Sequence, residues 1–161
     1  MNWKALFDRQ QQLDQYIQQN HQLEQENLVP RKILAFQVEL GELANETRCF
    51  KFWSVKESSP HEVILEEYVD GLHFLMSLGL ELNSSFESLE PVSAQENLCD
   101  QFQQVYRLTT QFEQQQTRSC YRRLFEGFLA LGRRLNLSEE EVMEAYWQKN
   151  SINHQRQQQG Y

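Results

Sequence analysis

Two groups of carboxylates in this chain are spaced as if to share one chemical task. Glu39, Glu42 and Glu46 lie three and four residues apart. At about 100° per residue they occupy one helical stripe about 60° wide. Ile33, Phe36, Leu40, Leu43 and Ala44 fill the neighbouring arc, so the acids border a core. Glu67 and Asp70 fall in a row with Val63, Phe74 and Leu78, and the other faces carry Ile64, Leu65, Leu72, Leu75 and Met76. Stacked like charges repel, and ionised acids within an apolar helix are costly unless neutralised. Residues 60–82 contain no Lys or Arg that could do this. Hard oxygen donors with no accompanying Cys or His pattern suit Mg²⁺ or Mn²⁺, and Mg²⁺ commonly bridges phosphates. The competing reading of these acids is a solvated face or a structural polar network.

A cationic group lies near the C-terminus. Lys149, Asn153 and Arg156 fall within about 60° on one helix face, and Val142 and Tyr146 begin the same stripe and should dock it. A Lys, an Arg and an amide together can clamp phosphate. The chain as a whole carries a formal charge of −8, so it has no general attraction for nucleic acid or anionic membrane. An anionic ligand must therefore meet local cations or a metal.

These groups need rigid elements to carry them. With 6 Gly and 3 Pro in 161 residues, helices are easier to build than strands and turns. Apolar spacing predicts helices over about 3–20, 30–48, 60–82, 95–116 and 118–135, with a loop over 83–94. Ser138 and Glu141 form a capping box that should start a last helix to about residue 154. The expected fold is all-α, a bundle of about five to six helices in one domain spanning 1–161, with a polar tail over about 155–161 that orders on substrate binding. The interleaved Gln residues read as solvated helix faces. Cys49, Cys99 and Cys120 form no metal pattern and suit reduced thiols in a cytoplasmic protein. No stretch approaches the roughly 20 apolar residues of a membrane span. His73, one turn past Asp70, reads more readily as a hydrogen-bonded helix histidine than as a ligand or proton shuttle. Phe50, Phe52 and Phe74 are core or pocket wall.

Glu39-Leu-Gly-Glu42 followed by Glu67-Tyr-Val-Asp70 resembles the ExxE…ExxD signature of the all-α NTP pyrophosphatases, the MazG-like superfamily. The longer stretches ELGELANETRCFKFWS, EEYVDGLHFLMSLGLE and AYWQKNSINHQRQQQGY are similar to dimeric all-α dUTPases of bacteria and their phages. The resemblance implies a homodimeric dUTP diphosphatase that releases dUMP and pyrophosphate, with dUDP as a further candidate substrate. It implies Mg²⁺, in two or more ions and replaceable by Mn²⁺, held by Glu39, Glu42, Glu67 and Asp70. One of Glu39, Glu42 and Glu46 would orient or deprotonate the attacking water. Gln10, in the QxxLD segment, would lie near uracil and Trp53 would help form the base pocket. Lys51 would reach phosphate, Asn153 would join Lys149 and Arg156 in clamping phosphate, and Lys149 and Arg156 would stabilise the leaving pyrophosphate. Phe74 or Gly71 would pack against C2′ of the sugar. Asn150 and Tyr161 match the KNxxN…GY ending but lie off the cationic stripe.

There are three rival readings: within the same superfamily, a MazG-like pyrophosphatase for another (d)NTP; from other classes, a ferritin-like carboxylate protein and a non-enzymatic helical interaction protein. The ferritin-like class normally takes an ExxH from each of two helices, and Asp70-x-x-His73 only approximates one.

Overall fold

Apolar periodicity, proline starts and polar caps divide the chain into helices at nearly the expected places. The computed structural model describes residues 1–86, 89 and 93–160, so part of the expected 83–94 loop and Tyr161 lie outside the described residues. Among those residues there are six helices and no strand: α1 (Trp3–His21), α2 (Val29–Thr47), α3 (His61–Glu81), α4 (Leu98–Gln115), α5 (Arg118–Arg134) and α6 (Glu139–Gln158). The fold is all-α.

Local chemistry sets the boundaries. The side chain of Asn2 caps α1 and that of Asn97 caps α4. This places the start of α4 at Leu98, three residues later than periodicity alone suggests. Thr117 caps α5. The Ser138–Glu141 capping box forms as expected, with the Glu141 amide donating to Ser138 Oγ at 3.2 Å and the Ser138 amide donating to Glu141 Oε2 at 2.9 Å. Those bonds from Ser138 hold the Glu141 carboxyl down at about 2. The other end of α6 runs one turn past residue 154, to Gln158.

α3 is the central element and packs against α1, α2, α5 and α6. Its burial is nearly continuous from Tyr68 to Gly79, as expected of a helix that is apolar on most faces. Phe36, Leu40 and Leu43 of α2 join Leu72, Leu75 and Met76 of α3 and Phe125, Phe128 and Leu131 of α5 in one core. Tyr68 stacks on Phe128 with ring centroids 4.5 Å apart. No helix among the described residues is long and apolar enough to cross a membrane.

Gly79 lets α3 and α5 approach closely, because a Cβ there would lie 2.6 Å from Tyr121 Cζ and 2.7 Å from the Ser84 carbonyl. Tyr121 cannot retreat easily, being fully buried with its hydroxyl donating to the Leu75 carbonyl at 3.0 Å. Gly79→Ala should therefore destabilise the fold by about 1–3 kcal/mol through overpacking. Urea denaturation checks this, and a change below about 0.5 kcal/mol would show that the contact yields freely.

Candidate functional site

α2 turns three faces to three surroundings. Phe36, Leu40 and Leu43 are fully buried in the core, Gly41 meets α4, and Glu39, Glu42 and Glu46 follow the remaining side. The packing of α2 on α3 brings that acidic side against Glu67 and Asp70. One carboxylate oxygen from each of Glu39, Glu67 and Asp70 lies within 4.8 Å of the others, and all three residues are half-buried.

The electrostatics follow from this crowding. Glu39 is pushed up to about 7, first by burial and then by the charges of Asp70, Glu42 and Glu67. Glu67 is raised by burial and then by Glu42 and Asp70. Burial raises Asp70 as well, and Lys149 opposes that rise. Glu42 is exposed and lies outside the three-carboxylate group, although its charge reaches both neighbours. Glu46 accepts a hydrogen bond from the Ser59 hydroxyl, and its carbonyl accepts from the Ser59 amide at 3.0 Å. It thus also anchors the connection into α3.

The cation that α3 lacks arrives from α6. Lys149 Nζ donates to Asp70 Oδ2 at 2.7 Å and to Glu66 Oε1 at 2.9 Å. Burial alone would lower the lysine, but these bonds hold it above its ordinary value. Lys149 therefore stands against the acids themselves rather than beyond them. Asn153 and Arg156, on the same face of α6, line a cavity of about 160 Å³ together with Gln10, Asp14, Asp70, His73, Phe74 and Ser77. Asp70 belongs to both the acidic group and the cavity wall, so the two adjoin.

The floor of the cavity is a hydrogen-bonded chain that periodicity does not reveal. The Gln10 side-chain NH₂ donates to Asp14 Oδ1 at 2.8 Å, which turns its carbonyl oxygen toward the Tyr146 hydroxyl (2.6 Å) and His73 Nδ1 (2.8 Å). Asp14 also accepts from the Ser77 hydroxyl and from Lys32 Nζ at 3.2 Å, and Lys32 reaches Glu81 at 2.5 Å. Burial, and then the Lys149 charge, push His73 down to about 3, so the ring is neutral. With Nδ1–H donating to Gln10, Nε2 is left as an acceptor, buried and without a partner. His73 is thus a hydrogen-bonded helix histidine, as expected, with one unused lone pair in a cavity-lining ring. Gln10 of α1 and Tyr146 of α6 cover its ring.

Other candidates lie elsewhere in this chain. Lys51 donates to Asn45 Oδ1 at 2.5 Å, and Trp53 is 65% exposed; neither lines the cavity. Phe50 and Phe52 are exposed too, so neither belongs to the core, and neither lines this cavity. A Cβ on Gly71 would meet Phe128 at 3.0 Å and Phe36 at 3.8 Å, so Gly71 faces the core and Phe74 is the residue at the cavity. Asn150 is fully buried. Signals for Asp14 and Ser77 were present in the sequence, as polar residues one turn from Gln10 and His73, but only the α1–α3 contact gives them meaning.

The donor set fits a divalent cation. Hard oxygens crowd closely enough to raise Glu39, and metal ligation is the usual way to relieve such crowding. The metal-free protein should show the strain. Because Glu39 titrates higher when folded than unfolded, folding favours its protonated form, and stability falls as pH rises from about 4.5 through about 7. With chelator present, Glu39→Gln should exceed the parent in stability by about 1 kcal/mol at pH 8, after discounting for the group's exposure. The two should converge near pH 5. Denaturant melts at both values test this, and a gap that does not shrink at low pH would contradict it.

A family model described as dUTPase matches residues 2–161. Comparison with curated proteins finds no match.

Proposed function

The chain belongs to the dUTPase family, and from that premise we propose that it hydrolyses dUTP to dUMP and pyrophosphate using a Mg²⁺-activated water. The observation that carries this reading is the convergence of Glu39, Glu67 and Asp70 beside a cavity lined by His73, Phe74, Asn153 and Arg156. Mg²⁺ there, in two or more ions or replaced by Mn²⁺, would neutralise the carboxylates, hold triphosphate oxygens and lower the pKa of a nearby water.

The chain's own groups divide the remaining work. Glu39, Glu67 and Asp70 are ligands, with Glu42 at the exposed rim as a fourth. Glu46 is engaged with Ser59, so Glu42 is the better placed of the two to orient the water or take its proton. Lys149 exchanges its bonds to Asp70 and Glu66 for phosphate oxygens, and Arg156 joins it in stabilising charge on the departing pyrophosphate. Phe74 packs against the deoxyribose. His73, about one turn or 5 Å along α3 from Asp70, accepts from the sugar 3′-hydroxyl through Nε2. Gln10 and Asp14 lie further from the acids, towards uracil.

A second copy of the chain is part of this reading. Leu34, Val38, Phe52, Trp53 and Val55 are all large and exposed, and a homodimer would cover them. It would also bring Lys51 and Trp53 to a use that they lack within one chain. The free thiols suit a cytoplasmic setting. A pyrophosphatase for another (d)NTP would use the same acids, so substrate choice must be measured.

Hydrolysis of dUTP, dUDP, dCTP, dTTP, UTP and 2′,3′-dideoxy-UTP with and without Mg²⁺ tests the proposal. dUTP should be preferred, and the dideoxy compound should lose about tenfold or more through the unmet His73 acceptor. Glu67→Gln should reduce Mg²⁺-dependent turnover by about 10²-fold or more while keeping the helical content. Equal rates on all the triphosphates, or undiminished activity in chelator, would sink the assignment. Sedimentation at micromolar concentration should give a dimer, and a monomer there would remove the second copy from the reading.

A further inference from the structure

Away from the acids, α2 and α4 approach closely. A Cβ on Gly41 would lie 3.3 Å from the Tyr106 hydroxyl, which itself donates to the Gln37 carbonyl at 3.3 Å. The contact runs antiparallel, so Cys49, two residues past the end of α2, meets the second residue of α4, Cys99. The Cys99 thiol donates to the Cys49 carbonyl at 3.0 Å. Both are half-buried free thiols on one apolar cavity of about 350 Å³, walled by Phe50, Phe102 and Tyr106. The sequence separates them by 50 residues, so their meeting is a product of the fold.

We propose that Cys49 and Cys99 form a modification site, a dithiol that low-molecular-weight disulfides of the glutathione type convert reversibly to a Cys49–Cys99 bridge. One thiolate of the pair attacks a sulfur of RSSR and expels RS⁻, leaving a mixed disulfide. The second thiol loses its proton to solvent and attacks the protein sulfur of that mixed disulfide, expelling another RS⁻. The protein gives up two electrons and two protons, and RSSR becomes two RSH. Burial and the adjacent Cys49 push Cys99 up to about 11, so Cys99 is a poor entry nucleophile, since attack requires a thiolate. The opening of the shared cavity admits a small disulfide to the half-buried pair. Cys120 is an internal control: it is buried, with its thiol donating to Gln115 Oε1 at 3.2 Å.

The bridge would join the end of the acid-bearing helix to the start of α4 and fix the segment carrying Phe50 and Trp53. It would close a loop of about 50 residues containing all of α3, and so constrain the unfolded chain strongly. None of this depends on the substrate.

The full-length protein, equilibrated anaerobically across a series of oxidised to reduced glutathione ratios, is alkylated under denaturing conditions and examined by intact mass and peptide mapping. Two thiols should disappear together, with residues 49 and 99 in one cross-linked peptide and Cys120 alkylated. The fraction bridged should not depend on protein concentration. Cys49→Ser and Cys99→Ser should each stop at a glutathione adduct or remain reduced. The bridged form should melt about 5–10 °C higher than the reduced form. A persistent mixed disulfide in the parent, a bridge that includes Cys120, cross-linking between chains, or a lower melting point would each overturn the proposal.

Discussion

The packing of α2 on α3 is the constraint from which the rest of the structure follows. Phe36, Leu40 and Leu43 cannot enter the core beside Leu72 and Leu75 without bringing Glu39 up against Glu67 and Asp70. At an effective dielectric of about 20, two unit charges about 5 Å apart repel by about 3 kcal/mol. One fully buried Leu or Phe recovers about 1.5–3 kcal/mol, so a handful of core residues can hold such a contact closed. The apolar interface wins, and the acids are left with their ionisation disfavoured. Lys149 opposes the rise of Asp70 and, less directly, of Glu39, yet all three carboxyls stay raised. The acidic group is thus held together by its surroundings and not by its own charges.

Local chemistry was legible in the sequence and long-range partnership was not. Helix positions, the Ser138–Glu141 box and the acidic stripe on α2 depend on residues within a turn or two of each other, and periodicity reads those directly. Periodicity also assigned Lys149, Asn153 and Arg156 to one face, and the structure has them adjacent to the acids and cavity. A face does not name what lies opposite, however. Lys149 therefore read as a group beyond the acids when it touches Asp70, and Gly71 was a candidate for the sugar surface when it supports Phe128. The aromatic run after α2 shows the same limit: hydrophobicity suggests burial, but among the described residues Phe52 and Trp53 remain exposed.

The wall opposite the acids has a different character. Gln10, Asp14, His73, Ser77 and Tyr146 come from three helices, and the direction of each hydrogen bond fixes the next. Gln10 donates to a carboxylate and so must present its oxygen to His73 and Tyr146. His73 must then hold its proton on Nδ1. Tyr146 stacks on the His73 ring, with centroids 4.2 Å apart, which limits ring rotation as well. An acceptor held this rigidly loses little entropy when a donor binds, and discriminates against any ligand that leaves it unmet. The acids are electrostatically strained; this wall is relaxed and exacting about hydrogen-bond direction.

The segment between α2 and α3 adds a mechanical asymmetry. Its base is clipped three times: Arg48 donates to Ser54 Oγ at 2.7 Å and to the Lys56 carbonyl at 3.2 Å, and Ser59 binds Glu46. The clips direct its tip outward, so Phe52, Trp53 and Val55 remain exposed even though the adjoining Cys49 is half-buried against α4. Exposing several large apolar side chains side by side costs free energy that polar residues would have saved. A loop that was merely a connection would have no reason to bear that cost while being braced so firmly at its base. The bracing joins this loop through Glu46 to the helix that carries Glu39 and Glu42, and Glu42 lies one helical turn from Glu46.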